Sequence, residues 1–154
     1  MKNKLILILT LCFVKSCVGF DLGDCEITLN NESGQPVACF VADGFNSGFS
    51  YPDTKLLFPL NDYCLTEHIT GLTRIYASRS GSYERMLSST KQGVLSVYIF
   101  DQRAIDQEGW ETLITKDAYL VRYDLTADNL EDLDGNLSFP PSPEMKDIKV
   151  YYPD

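Results

Sequence analysis

Residues 94–101 form the longest apolar run beyond the N-terminal segment, and this run is rich in β-branched and aromatic side chains. A pattern of this kind predicts a strand that is buried on both faces. Because side chains alternate along a strand, Val97 and Ile99 are predicted on one face, and Tyr98 and Phe100 on the other. Other parts of the chain must then cover both faces of this central strand.

Alternating apolar and polar positions predict several further strands. Residues 25–30 and 35–41, separated by a turn that ends at Gly34, predict a β-hairpin. The remaining predicted strands, each with one apolar face, are residues 72–77, 119–125, 137–139 and 148–152. In the strand at 119–125, Arg122 and Asp124 fall on the polar face.

The pattern changes to a helical period after the central strand. Asp101 is a suitable helix cap, and Gly109 interrupts the helical segment that follows. Trp110, Leu113 and Ile114 then fall on one apolar stripe, which predicts a helix that covers one face of the central strand. This spacing favours Trp110 as a core residue rather than as a ligand platform.

A further short helix is predicted to begin at Thr126 and to end before Gly135. Together the elements predict a mainly β fold: a single antiparallel, sandwich-like domain with one or two short helices. The alternative is a two-layer α+β fold. The roughly 135 residues beyond the N-terminal segment suffice for one domain but leave no room for a second.

The N-terminal segment has the pattern of a secretory signal. Lys2 and Lys4 precede ten apolar or uncharged residues at 5–14, and this run is shorter than the ~20 residues that span a bilayer. Val14 and Ser16 before Cys17 are typical of a bacterial lipoprotein signal, with Cys17 as the lipid attachment residue. Ordinary signal cleavage after Gly19 is the alternative.

These features predict a signal peptide at 1–16, a tether at 17–24 and a single globular β-rich domain at 25–154. The protein is expected in the bacterial cell envelope, anchored to the outer membrane; the alternative is a soluble periplasmic or secreted protein. Without the three lysines of the N-terminal segment, 10 basic side chains face 22 acidic ones, a net charge of −12. This acidity argues against nucleic acid as a partner, and against any membrane contact other than the lipid anchor.

Three cysteines lie beyond the signal segment: Cys25, Cys39 and Cys64. One disulfide is possible, and the predicted hairpin favours Cys25 with Cys39, although three reduced thiols are the alternative. A zinc site would need four ligands, whereas His68 is the only histidine and no CxxC motif occurs. The acidic stretch at 128–135 lacks the first and twelfth ligands of a calcium loop. We therefore expect no metal and no cofactor.

Residues 43–53 are a loop by composition, yet they carry three aromatic residues: Phe45, Phe49 and Tyr51. Aromatic side chains on a loop can stack on a sugar or a peptide, which makes these three the candidate ligand-binding residues. Folding back over the open end of the core is the simpler interpretation, since aromatic residues dominate core energetics.

The sequence contains no catalytic motif: GxSxG, HExxH, a P-loop and a dinucleotide fingerprint are all absent. No catalytic residue is therefore assigned. A glycosidase-type carboxylate pair need not be close in sequence, so an exported hydrolase remains an alternative.

Several short stretches, spread over nearly the whole mature chain, carry a resemblance to a known group of proteins. They are residues 25–31, 51–54, 97–101 with the following Ile-x-x-x-x-Trp-Glu, 122–126 and 139–148. In these stretches the chain resembles a group of small uncharacterised envelope lipoproteins of Bacteroidota-type bacteria. The resemblance implies an envelope location but supplies no functional residues.

The leading hypothesis is a non-catalytic binding or interaction module, exported to the cell envelope and lipid-anchored, with a glycan or a protein as its ligand. The alternatives are the exported hydrolase and a purely structural envelope component.

Overall fold

The structure, a computed structural model, describes residues 23–43, 51–52 and 55–153. Within these residues the fold is mainly β, with eight strands and four short α-helices. The strands are β1 Cys25–Asn31, β2 Val37–Ala42, β3 Leu65–Ile69, β4 Leu72–Ser78, β5 Leu95–Asp101, β6 Val121–Leu125, β7 Asn136–Phe139 and β8 Lys149–Tyr151. The helices are α1 Tyr83–Leu87, α2 Gln102–Glu108, α3 Trp110–Thr115 and α4 Ala127–Asp132. The predicted fold class is confirmed, although the helices outnumber the predicted one or two.

The larger sheet has five strands in the order β3, β2, β5, β6, β8, and all neighbours are antiparallel. The predicted central strand, β5, is the middle strand of this sheet. Its residues from Leu95 to Phe100 are all buried, as the apolar run predicts. The short C-terminal strand, β8, lies at the edge of the sheet, also as predicted.

The smaller sheet has three strands in the order β4, β1, β7. β1 is antiparallel to β4 and parallel to β7, with a bulge at Ile75 in β4. The two sheets pack face to face, and their apolar side chains form one core. That core includes Ile27 and Leu29 from β1, and Val97 and Ile99 from β5.

The predicted hairpin between β1 and β2 is wrong, because the two strands lie in different sheets. The buried Asn31 fixes the turn between them: its amide nitrogen donates to the carbonyl oxygens of Gln35 and Ile69, each at 2.7 Å. The backbone N–H of Glu32 donates to Phe139 O at 2.7 Å. These bonds tie the turn to residues in both sheets, while both edges of β1 are taken by β4 and β7.

The helices α2 and α3 cover part of the outer face of the five-stranded sheet. Asp101 caps α2 by accepting from the Arg103 N–H at 2.9 Å, and Gly109 separates the two helices at φ +79°. Leu113 and Ile114 pack with Phe100 in a second apolar core, so the predicted lid on β5 is confirmed. The five-stranded sheet thus lies between the smaller sheet on one face and the helices on part of the other.

Candidate functional site

The outer face of the five-stranded sheet carries two rows of side chains that cross three adjacent strands. The register places Tyr98 of β5 opposite Arg122 of β6, which in turn lies opposite Tyr151 of β8. The next row on the same face contains Ser96, Asp124 and Lys149. One basic and one acidic side chain therefore lie side by side on β6, because residues two apart on a strand share a face.

Arg122 and Asp124 form a buried ion pair with two hydrogen bonds. Arg122 Nε donates to Asp124 Oδ1 at 2.7 Å, and Nη2 donates to Oδ2 at 3.1 Å. The two side chains are 1% and 2% exposed. Ser96 Oγ donates to Asp124 Oδ1 at 2.6 Å, so the carboxylate accepts three hydrogen bonds. Such charge-assisted bonds are the strong ones in a protein interior.

Two tyrosine rings also lie close to the guanidinium. Arg122 Cζ lies 5.4 Å from the ring centroid of Tyr98 and 5.4 Å from that of Tyr151. Burial, the largest single effect, lowers the pKa of Arg122, but the hydrogen bonds to Asp124 and the electrostatic interactions with Tyr98, Asp124 and Tyr151 together outweigh it, so the net shift of the pKa is upward. Burial also raises the pKa of the Tyr98 hydroxyl above its usual range, so this ring stays neutral under physiological conditions.

A cavity of about 190 Å³ lies next to the ion pair. Its lining residues come from five separate segments of the chain. They are Tyr51, Val94 before β5, Asp124 of β6, Thr126 and Asn129 at the start of α4, Asp147 before β8, and Lys149 of β8. We call this the Tyr51 cavity.

Local hydrogen bonds hold the walls of the Tyr51 cavity in place. Thr126 and Asn129 form a capping box at the start of α4, in which each side chain accepts from the other residue's backbone N–H at 3.3 and 3.1 Å. The Lys149 ammonium lies 5.8 Å from the Tyr51 ring centroid, within the range of a cation–π contact. The residues that line the cavity therefore combine an aromatic ring with hydroxyl, amide, carboxylate and ammonium groups.

Of the three predicted ligand-binding aromatics, Tyr51 is the one that the structure describes. It lines the Tyr51 cavity and is partly exposed. Phe45 and Phe49 lie outside the described residues, as does the predicted lipid attachment residue Cys17. The prediction for those three residues stays a prediction.

The structure has buried free thiols at Cys25, Cys39 and Cys64, in place of the predicted bridge between Cys25 and Cys39. Without the hairpin, Cys25 pairs with Ser78 in the smaller sheet, and Cys39 pairs with Ile99 in the larger one. Burial raises the pKa of the Cys64 thiol to about 11, and the Asp43 carboxylate adds to the rise. A thiol with such a pKa is not a nucleophile at neutral pH.

Asp124 and Asp147 both line the Tyr51 cavity, and a glycosidase-type hydrolase would need two carboxylates in one cleft. However, both oxygens of Asp124 already accept hydrogen bonds from Arg122. A general acid needs a carboxyl oxygen that can reach the substrate, whereas these oxygens are directed at Arg122 and Ser96. The ion pair therefore argues against Asp124 as a catalytic acid.

Sequence reasoning missed Asp124, Asn129, Asp147 and Lys149 as neighbours of Tyr51. They come from separate segments, and only the pairing of β6 with β8 brings them together. One signal was present in the sequence. Arg122 and Asp124 share the polar face of a strand next to a central strand that is predicted to be buried on both faces, so an ion pair between them could have been expected.

Within the described residues, no group of three or more His, Cys, Asp or Glu side chains is placed to hold a metal ion. No helix among those residues has the length and apolar character needed to cross a membrane. Comparison of the chain with protein-family models, with curated proteins and with solved structures finds no match.

Proposed function

We propose that the protein is a non-catalytic binding module, exported to the bacterial cell envelope and anchored there through a lipid on Cys17, and that the Tyr51 cavity binds a sugar residue of a glycan. The observation that carries the proposal is the composition of this cavity. It places one aromatic ring beside Asn129, Thr126, Asp147 and Lys149.

Sugars offer an apolar C–H face and a rim of hydroxyl groups, each of which can donate and accept a hydrogen bond. Tyr51 provides a flat apolar surface with a polar tip. The Asp147 carboxylate can accept, the Lys149 ammonium can donate, and the Thr126 hydroxyl can donate. An aromatic wall with a few convergent polar groups is the usual composition of a small-ligand site.

The volume of the cavity limits what can enter. At about 190 Å³ it lies below the ~300–1,000 Å³ that holds a drug-sized ligand. One sugar ring, or part of one, is a suitable size for this cavity. The rest of a glycan would extend outward past Tyr51.

Binding to a glycan array tests the sugar-binding part of the proposal. The full-length protein is expected to bind a subset of glycans, and Tyr51→Ala is expected to weaken that binding about tenfold or more, equivalent to ~1.4 kcal/mol. Tyr63→Ala is the matched control, because Tyr63 is a tyrosine that is 94% exposed and lies outside the cavity. Absence of any glycan signal, or equal binding by wild type and Tyr51→Ala, would rule out sugar binding at this site.

The lipid anchor is tested separately by detergent partitioning of the wild type and of Cys17→Ser, both expressed in a bacterial host. Each buried methylene contributes ~0.8 kcal/mol, and stable anchoring needs more than one acyl chain, as an acylated N-terminal cysteine provides. Wild type is expected in the detergent phase and Cys17→Ser in the aqueous phase. Wild type in the aqueous phase, with a mature N-terminus at Phe20, would show that no anchor exists.

A further inference from the structure

A second concave surface lies beside α3, away from the Tyr51 cavity, with a volume of about 490 Å³. Its apolar residues are Phe58, Pro59, Leu60, Leu65 and Trp110. Three acidic residues, Asp62, Glu108 and Glu111, also line it. We call this surface the α3 groove.

The floor of the α3 groove is rigid. The Trp110 ring packs edge to face against Phe100 of the central strand, with ring centroids 5.1 Å apart. Its indole Nε1 donates to Glu67 Oε1 at 2.8 Å, which fixes the orientation of the ring. A large aromatic residue held in this way loses little conformational entropy on binding, and tryptophan is enriched among residues that dominate binding energy.

The apolar wall of the groove is exposed to solvent. Phe58 is 49% exposed, and the adjacent Leu57 is 64% exposed. Both residues line a neighbouring hollow of about 600 Å³, which Lys55 and Lys116 also line, and Phe58 is shared with the α3 groove. Two adjacent large apolar side chains beside a concave surface are typical of an interaction site, whereas a single exposed apolar residue needs no explanation.

The charge of the rim indicates which partner fits. Asp62 and Glu111 form no ion pair within the described part of the chain, whereas Glu108 pairs with Lys116. The groove itself contains no basic residue among the described ones. A ligand for this surface should therefore combine an apolar side chain with positive charge, since complementary charges favour association and like charges oppose it.

This requirement excludes two alternative occupants. A second copy of the chain would bring the same acidic rim and a net charge of −9. A membrane surface rich in anionic lipids would be repelled by that rim. We propose that the α3 groove binds a segment of a partner protein in which an aromatic or large aliphatic residue is flanked by lysine or arginine.

The chain contains a single tryptophan, Trp110, so its fluorescence reports directly on the α3 groove. The probe is a synthetic heptapeptide, GKKFKKG, titrated into the full-length protein with selective excitation of tryptophan. Two control peptides separate the contributions of charge and of the apolar residue: GEEFEEG and GKKSKKG. We expect a saturable change with GKKFKKG that weakens as salt is raised, and little or no change with either control peptide.

Three variants test the location of binding. Phe58→Ser is expected to weaken GKKFKKG binding about tenfold, because the burial of the phenyl ring is lost. The double variant Asp62→Asn, Glu111→Gln is expected to weaken it about threefold or more and to reduce its salt dependence. Leu72→Ser is the matched control, because Leu72 is 69% exposed on the smaller sheet and its removal should leave binding unchanged.

Equal responses to GKKFKKG and GEEFEEG would overturn the proposal, as would unchanged binding by either groove variant. Absence of a saturable response to GKKFKKG would overturn it as well. Phe58→Ser and the double variant alter exposed side chains, so their circular dichroism spectra should match that of the wild type. Tyr51→Ala should bind the peptide normally, which separates this proposal from that of sugar binding.

Discussion

Asp124→Asn tests the energetic role of the buried ion pair on β6. The substitution keeps the size of the side chain but removes its charge, and it leaves the Arg122 guanidinium buried beside a neutral amide. The bond from Arg122 Nε, 2.7 Å in the wild type, loses its ionic character. The amide nitrogen also cannot accept from Nη2. Breaking a buried pair by removing one partner destabilises a protein by about 3–5 kcal/mol, and we expect a loss in this range.

Arg122→Met should be destabilising for the converse reason. Among the described residues it leaves Ser96 as the remaining hydrogen-bond donor to the Asp124 carboxylate, and it removes the guanidinium from between the rings of Tyr98 and Tyr151. The double variant, Arg122→Met with Asp124→Asn, contains no buried unpaired charge. Its loss of stability should therefore be smaller than the sum of the two single losses by at least about 2 kcal/mol.

Urea denaturation followed by far-UV circular dichroism gives the free energies of unfolding for this cycle. Glu26→Gln is the matched control, because Glu26 pairs with Arg74 at a similar distance of 2.8 Å but both side chains are largely exposed. Exposed pairs contribute about 0–1 kcal/mol. A loss of stability for Asp124→Asn no larger than that for Glu26→Gln would contradict this expectation. So would a loss in the double variant that equals the sum of the two single losses within about 0.5 kcal/mol.

Three further predictions concern the turns, the thiols and the pH dependence of stability. Gly135→Ala should lower the free energy of unfolding in urea by about 2–4 kcal/mol, because Gly135 has φ +69° and an added Cβ would collide with Glu26 O and the Tyr83 hydroxyl. Gly34→Ala is the control: Gly34 has φ +73° but no atom within 4 Å of its Cβ position, so the loss should be only about 1 kcal/mol. Equal losses in the two variants would show that the collision at Gly135 is not the cause. Cys39 and Cys64 should resist alkylation by iodoacetamide at neutral pH until urea unfolds the protein, because burial raises the pKa of both thiols. Peptide mapping after alkylation measures this, and rapid labelling of either thiol in the native protein would contradict it. Burial, with the Asp43 carboxylate, raises the pKa of Tyr76 from 10.0 to about 12. The stabilisation from the neutral Tyr76 hydroxyl is therefore complete below pH 10.0 and is lost as the pH rises through 12. Tyr76→Phe should reduce the fall in the free energy of unfolding between these two pH values, and an equally steep fall in wild type and variant would contradict this.

The local elements of the fold were predictable where the sequence carries its own start and stop signals. The apolar run of β5 identifies the central strand, since a strand without a polar face must be covered on both sides. Asp101 and Gly109 mark the limits of α2, and Thr126 marks the start of α4. Each of these signals acts within a few residues, so it does not depend on the rest of the chain.

Strand pairing was less predictable, because it depends on residues far apart in sequence. The turn between β1 and β2 resembles a hairpin turn, yet the Asn31 side chain binds Ile69 O, 38 residues away, and so holds the turn against the other sheet. β3 went unpredicted because its exposure pattern does not alternate: His68 is exposed at φ 56° between the exposed Glu67 and the buried Ile69. The Tyr51 cavity depends on the same long-range pairing, which joins β6 to β8.

The central strand separates the two proposed sites as well as supporting them. Phe100, at one end of β5, contacts Trp110 in the α3 groove, while Ser96, near the other end, holds Asp124 beside the Tyr51 cavity. These two residues are four positions apart on one strand, which corresponds to about 13 Å. Changes more than about 7–10 Å apart with no shared partner act independently in most proteins. β5 is also paired on both edges and buried from Leu95 to Phe100. The two sites should therefore bind their ligands independently.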